Sequence, residues 1–285
     1  MTQIDEFESL FKSADKPVFH IEAVKIQQIL IITDENVKDV EAYVARLKRF
    51  LAILDSEESP LQFDVITGEE FGGVKELLSR INEKRPDLVC TYRNLHISAE
   101  EHPFSLGVYV DVLTQATHTP ILLVPRPEQM TDVMLQDTDH VMAVTDHLAG
   151  DRHLVTYATR FTKPGGKLSL VHIEDQQVFE RYIGVIGKIP EIDTDVAREL
   201  ILAKLLREPT DYIETCRTEI EKLNLPISVE PVVTIGHRLS DYKALIEEHG
   251  IDLLVINTKD DDQMAMHGMG YPLSIEIQNI PLLMI

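Results

Sequence analysis

The residues placed to do chemistry are few. Asp34 closes the apolar run ILIITD at 29–34, and Thr145 and Asp146 close the run VMAVTD at 141–146. A carboxylate just beyond an apolar strand can accept hydrogen bonds from an adenine amino group or a ribose, or support a metal. The same residue can also cap the next helix or sit in a loop with no ligand. Thr258 follows the run LLVIN at 253–257, and Asp260, Asp261 and Asp262 come directly after it. Hard cations need several oxygens converging on one point. Three consecutive acids rarely converge, so a solvated acidic loop is the expectation. Among the histidines, His172 lies inside a strand-like run and is expected to be structural. His237 follows Gly236 in a loop beside the expected crevice. No spacing of histidines and carboxylates fits zinc, and neither a G-x-S-x-G elbow nor a Walker loop is present. The Gly165-Gly166-Lys167 run precedes a strand and reads as a turn. Met264, Met266 and Met269 would floor an apolar pocket, face a partner or pack the loop. Cys90 and Cys216 sit in apolar surroundings, as buried hydrophobes rather than a redox pair.

The elements that must position these residues recur. PDLVCT at 86–91 pairs with IDLLVI at 251–256, TPILLV at 119–124 with IPLLMI at 280–285, and FDVITG at 63–68 with PVVTIG at 231–236. Four matches in one order predict an internal duplication. The spacing grows by 56 residues in the second copy, between its first strand and Gly236. The extra stretch holds a strand at 167–173 and a helical region at 195–223, with Ile213, Cys216, Ile220 and Leu223 on one buried face. Pro209 is expected to start a new segment or kink that region. Short apolar strands alternating with helices at 40–54 and 74–84 predict an α/β fold: two doubly wound parallel-sheet domains, the first lacking one strand–helix unit. The boundaries fall at 1–25 (an extension, with 18–21 an edge strand or part of an arm), 26–125, a linker at 126–139, and 140–285.

A strand ending in Thr-Asp, a later Asp-Leu-hydrophobic strand with Thr beyond it, and a closing Pro-hydrophobic strand resemble the universal stress proteins, across most of both copies. The resemblance implies an adenine-nucleotide-hydrolase-like fold and a role in stress response. ATP is the ligand it implies, near Asp34, Thr145, Asp146, Thr258, Gly268 and Gly270. In the ATP-binding branch a G-x2-G-x9-G-[S/T] loop cradles the phosphates. Here Asp260 and Gln263 stand at the first two glycine places, and Tyr271 follows Gly270. In the first copy the corresponding loop begins at Tyr92 with no glycine before Gly107, and Val108 replaces the hydroxyl. The expectation is therefore a non-enzymatic regulatory or interaction module with eroded nucleotide sites. The alternative is an ATP binder using an unconventional loop in 140–285. The closing strands at 121–124 and 282–285 are expected to pair, within one chain as a pseudo-dimer or between two chains as a homodimer.

The chain has 285 residues, 44% hydrophobic and 26% charged, with a net charge of −21. That field repels nucleic acid and anionic lipid. No apolar run approaches the ~18 residues of a membrane span, and the amino terminus lacks the pattern of a signal peptide. The cytoplasm is the expected compartment.

Overall fold

The computed structural model describes residues 18–35, 40–98, 100–130, 135, 137–144, 151–258 and 268–285. It is an α/β fold with nine strands among the described residues: β1 Gln28–Ile32, β2 Gln62–Ile66, β3 Leu88–Tyr92, β4 Ile121–Val124, β5 His140–Val144, β6 Lys167–Asp175, β7 Ser228–Gly236, β8 Leu253–Ile256 and β9 Leu282–Met284. The helices are α1 Val40–Phe50, α2 Val74–Lys84, α3 Val108–Ala116, α4 Arg152–Phe161, α5 Gln176–Ile186, α6 Thr194–Lys222, α7 Arg238–His249 and α8 Gly270–Glu276.

The strands form one sheet in the order β2-β1-β3-β4-β9-β8-β5-β6-β7. Central strands β3, β4, β5, β8 and β9 are buried along their whole length. Such strands need cover on both faces, which the intervening helices provide. Edge strand β2 instead alternates exposed and half-buried residues. Helix α1 presents Val40, Tyr43, Leu47 and Phe50 inward, one face at helical spacing. Helix α4 is buried on more sides, through Leu154, Val155, Tyr157, Ala158 and Phe161, and Asp151 caps it by accepting from the Leu154 N–H at 3.0 Å.

Every neighbouring pair is parallel except β4 and β9, which run antiparallel with Ile121 opposite Met284 and Leu123 opposite Leu282. The two expected sheets thus fuse into one through the strands at 121–124 and 282–285. Because β1–β4 run opposite to β5–β9, their carboxyl ends lie at opposite edges of the sheet. Each half reverses its winding where the chain crosses to the other side of its first strand, at β1/β3 and β5/β8, where ligand crevices of doubly wound sheets form.

Several expectations need correction. By sheet position the counterpart of β2 is β6, since each pairs directly with the first strand of its half; β7 is the added edge strand. Helix α6 is continuous through Pro209. Leu223 ends α6 and is exposed, so the buried face stops at Ile220. Residues 18–27 are neither an edge strand nor a loose arm. Phe19 is fully buried, edge-on to Tyr212 of α6 at 6.4 Å, and its N–H donates to the Thr215 hydroxyl at 3.0 Å. The Glu22 N–H donates to Thr156 of α4 at 3.2 Å, and the N–H groups of Gln27 and Gln28 both reach Asp87 at 2.9 Å. This segment is a strap from the first half laid across the second. No described helix is long and apolar enough to cross a membrane.

Candidate functional site

The first crevice lies at the carboxyl ends of β1 and β3. Strand β1 carries the chain into Thr33 and Asp34, and β3 ends at Tyr92 beside them. The Tyr92 hydroxyl lies 2.7 Å from Thr33 Oγ1, accepts from the Asp34 N–H at 3.0 Å, and donates to Asp34 Oδ1. Asp34 Oδ2 accepts from the His96 N–H at 2.6 Å. Both oxygens of the carboxylate are therefore engaged by the chain itself. Burial, and then the hydrogen bond to Asp34, push the Tyr92 phenol well above its ordinary range, so it stays a donor at neutral pH.

The loop after β3 makes this closure possible. Asn94 and His96 both have left-handed backbone, at φ 57° and 58°, which curls the chain back over the strand ends. Arg126, just beyond β4, holds the curl. It lies over the Tyr92 ring at 5.3 Å, and its Nη1 donates to the carbonyls of Arg93, Asn94 and Ile97 at 3.2, 2.9 and 3.4 Å. The His96 ring then fits against Phe71 and Tyr109, with centroids 4.8 and 5.6 Å away. Gly68 completes the wall: a Cβ there would stand 2.4 Å from the Asp34 carbonyl oxygen. Aromatic rings and backbone thus line the carboxyl ends of β1 and β3.

The second crevice, between β5 and β8, is seen in part. Thr145 and Asp146 lie outside the described residues, as do Asp260, Asp261, Asp262, Gln263, Met264 and Met266. Thr258 is buried, and its N–H and hydroxyl both donate to the Ile285 backbone oxygen at 2.9 Å. Its hydroxyl thus ties the end of β8 to the residue that follows β9. Gly268 has left-handed backbone at φ 56°, and Gly270 is buried at the start of α8. Met269 packs half-buried against the core. Among the described residues no three His, Cys, Asp or Glu side chains group to hold a metal.

His237 is exposed at the end of edge strand β7, two strands from β5, with its N–H on Asp241 at 2.8 Å. His172 Nε2 sits 3.4 Å from Glu174 in β6, a structural contact. Cys90 and Cys216 are free and buried, and burial pushes the Cys216 thiol up to about 12. Four residues that shape the first crevice were not singled out by motif: Tyr92, His96, Phe71 and Arg126. For Tyr92 and His96 the signal was a loop after β3 without glycine before Gly107; Phe71 and Arg126 lie outside it and carried none. A further pair went unseen. His140 Nε2 lies 2.7 Å from Ser169 Oγ, and its Nδ1 lies 3.2 Å from the His249 carbonyl. Both side chains are buried.

No family model matches the chain, and no curated protein does. Solved structures do. A universal stress protein from Archaeoglobus fulgidus is 14% identical, over 92% of this chain and 97% of its own, with a TM-score of 0.49. A putative universal stress protein from Pseudomonas aeruginosa is 10% identical, over 90% of this chain and 82% of its own, at 0.46. A hypothetical protein whose biochemical function was assigned from its structure is 17% identical, covering 52% of this chain and 95% of its own, at 0.41. Identities and scores at this level leave function to the residues themselves.

Proposed function

We propose that the chain is a tandem universal stress protein, with copies at 26–125 and 140–285, acting as a non-enzymatic regulatory or interaction module whose first nucleotide crevice is closed by its own side chains. The observation that carries this reading is the Asp34 carboxylate, held by the Tyr92 hydroxyl and the His96 N–H beneath the Phe71–His96–Tyr109 cluster. The ordered repeat and the antiparallel β4–β9 join favour the tandem arrangement. Two buried free cysteines favour a reducing compartment such as the cytoplasm.

Gly268 and Gly270 favour a second reading, in which 140–285 binds ATP through an unconventional loop. Equilibrium dialysis with ATP and Mg²⁺ separates the two. The proposal expects no saturable binding. Micromolar binding lost in Asp146→Ala transfers the function to the second crevice. Binding lost in Asp34→Ala refutes the closure of the first.

A further inference from the structure

One strand nearer the seam than the closed crevice is a separate cavity of about 240 Å³. Arg93, Asn94 and Arg126 line it from the ends of β3 and β4, with Glu100 and Gln129; Gln278 joins them from the turn between α8 and β9. The wall thus combines both halves of the chain. It carries two guanidinium groups against one carboxylate, in a protein whose net charge is −21.

Arg93 is the informative residue. It is 5% exposed. Its Nε and Nη2 donate to the Ser274 carbonyl at 3.0 and 2.7 Å, and Nη2 also to the Ile277 carbonyl at 2.6 Å. These carbonyls end α8 and offset part of the charge. Among the described residues no carboxylate pairs with Arg93, and its Nη1 has no hydrogen-bond partner. Burial pushes its pKa down only to about 10, so it remains a cation at neutral pH. A buried guanidinium without a counter-ion is costly. Arg126 adds a second cation, braced by loop carbonyls and by Glu128 at 2.6 Å. Asn94 is 3% exposed. Its Nδ2 donates to the His102 carbonyl at 3.2 Å, and its buried Oδ1 has no partner among the described residues.

We propose that this cavity binds a phosphate group across the seam between the halves. Arg93 Nη1 and Arg126 supply the positive charge. The Gln129 amide is a neutral donor, while Gln278, whose two N–H groups are held by the Pro103 and Ile275 carbonyls at 2.8 and 2.9 Å, can accept from a ligand hydroxyl through Oε1. Hydrogen phosphate brings such a hydroxyl, which a carboxylate lacks, and more charge for two guanidinium groups. The group arrives as the free ion or as a small monoester. Bound there, it ties the ends of β3 and β4 to the α8–β9 turn. The site is distinct from the β1/β3 crevice, so it stands whether or not ATP binds elsewhere.

The test is equilibrium dialysis of radiolabelled inorganic phosphate at physiological salt, where the overall field is screened. Saturable uptake of one phosphate per chain is expected. Gln129→Glu adds a negative charge at an exposed lip position without removing a described side-chain bond, and is expected to weaken uptake about tenfold. Arg93→Gln is expected to abolish it, and Gln129→Glu keeps the test decisive if Arg93→Gln unfolds. Competition by glycerol 3-phosphate as strong as by inorganic phosphate marks the monoester as the occupant. Competition by inorganic phosphate alone marks the free ion. No saturable uptake, equal uptake by wild type and Gln129→Glu, or competition by acetate as strong as by phosphate overturns the proposal.

Discussion

Replacing Tyr92 by Phe removes one oxygen from the centre of the closed crevice and leaves the ring in place. That oxygen touches three groups: Thr33 Oγ1 at 2.7 Å, the Asp34 N–H at 3.0 Å and Asp34 Oδ1. Thr33 keeps a partner, because its Oγ1 also accepts from the Glu35 N–H at 3.0 Å. The carboxylate loses a charge-assisted bond, worth ~1.5–3 kcal/mol, and the Asp34 N–H loses its acceptor, at ~1–3 kcal/mol. The expected destabilisation is about 3 kcal/mol. No cavity term adds to it. The control is Tyr43→Phe. Tyr43 packs edge-on against Tyr92 at 5.6 Å, and its buried hydroxyl has no partner among the described residues. Removing that hydroxyl is expected to cost nothing or to stabilise slightly, since the desolvation penalty goes with it. Urea unfolding followed by circular dichroism measures both. If the two variants agree within ~0.5 kcal/mol, the Tyr92–Asp34 linkage does not hold the crevice shut.

Other perturbations probe the rest of the frame. Gly68→Ala sets a methyl against the Asp34 carbonyl and is expected to cost about 2 kcal/mol, whereas Gly72→Ala, with nothing within 4 Å of its Cβ, should be near neutral by thermal unfolding. Phe19→Ala empties a fully buried site, at ~3–4 kcal/mol, and should make residues 18–27 the first place cut in limited proteolysis. His140 is held below the ordinary histidine value of 6.5 mainly by burial, with Lys167 and His249 acting in the same direction and Glu230 and the His249 carbonyl opposing. The unfolded chain therefore binds a proton there first. The His140 contribution is complete above 6.5 and is lost as pH falls through the lower folded value. Unfolding free energy should fall with acidification over that window, and the slope should be shallower in His140→Gln.

Much of the fold was legible because it rests on local pattern. Runs such as ILIITD and LLVI are too apolar for anything but strands covered on both faces, and the helix at 74–84 shows its buried stripe, Leu77 and Ile81, in sequence. What failed was sheet position. FDVITG and PVVTIG look alike because each ends a strand at a glycine, yet one pairs with the first strand of its half and the other stands a place further out. Strand order depends on crossover length and packing, which six residues do not encode. Phe19 misled for a similar reason: its burial is created by Tyr212, nearly two hundred residues away. Of the candidate site, the absence of glycine from the loop between Tyr92 and Gly107 was readable. The way the crevice fills was not, because it depends on two left-handed residues and on Arg126 reaching back over Tyr92.

The join between β4 and β9 also bears on how the protein is made. Strand β9 lies in the middle of the described sheet, between β4 and β8, yet the ribosome makes it after the other eight described strands. Until it emerges, β1–β4 carry a bare apolar edge of the kind that recruits stray chains. Growth of the sheet ends at its centre, so a nascent chain stalled before residue 282 should depend on holding factors far more than one released after it.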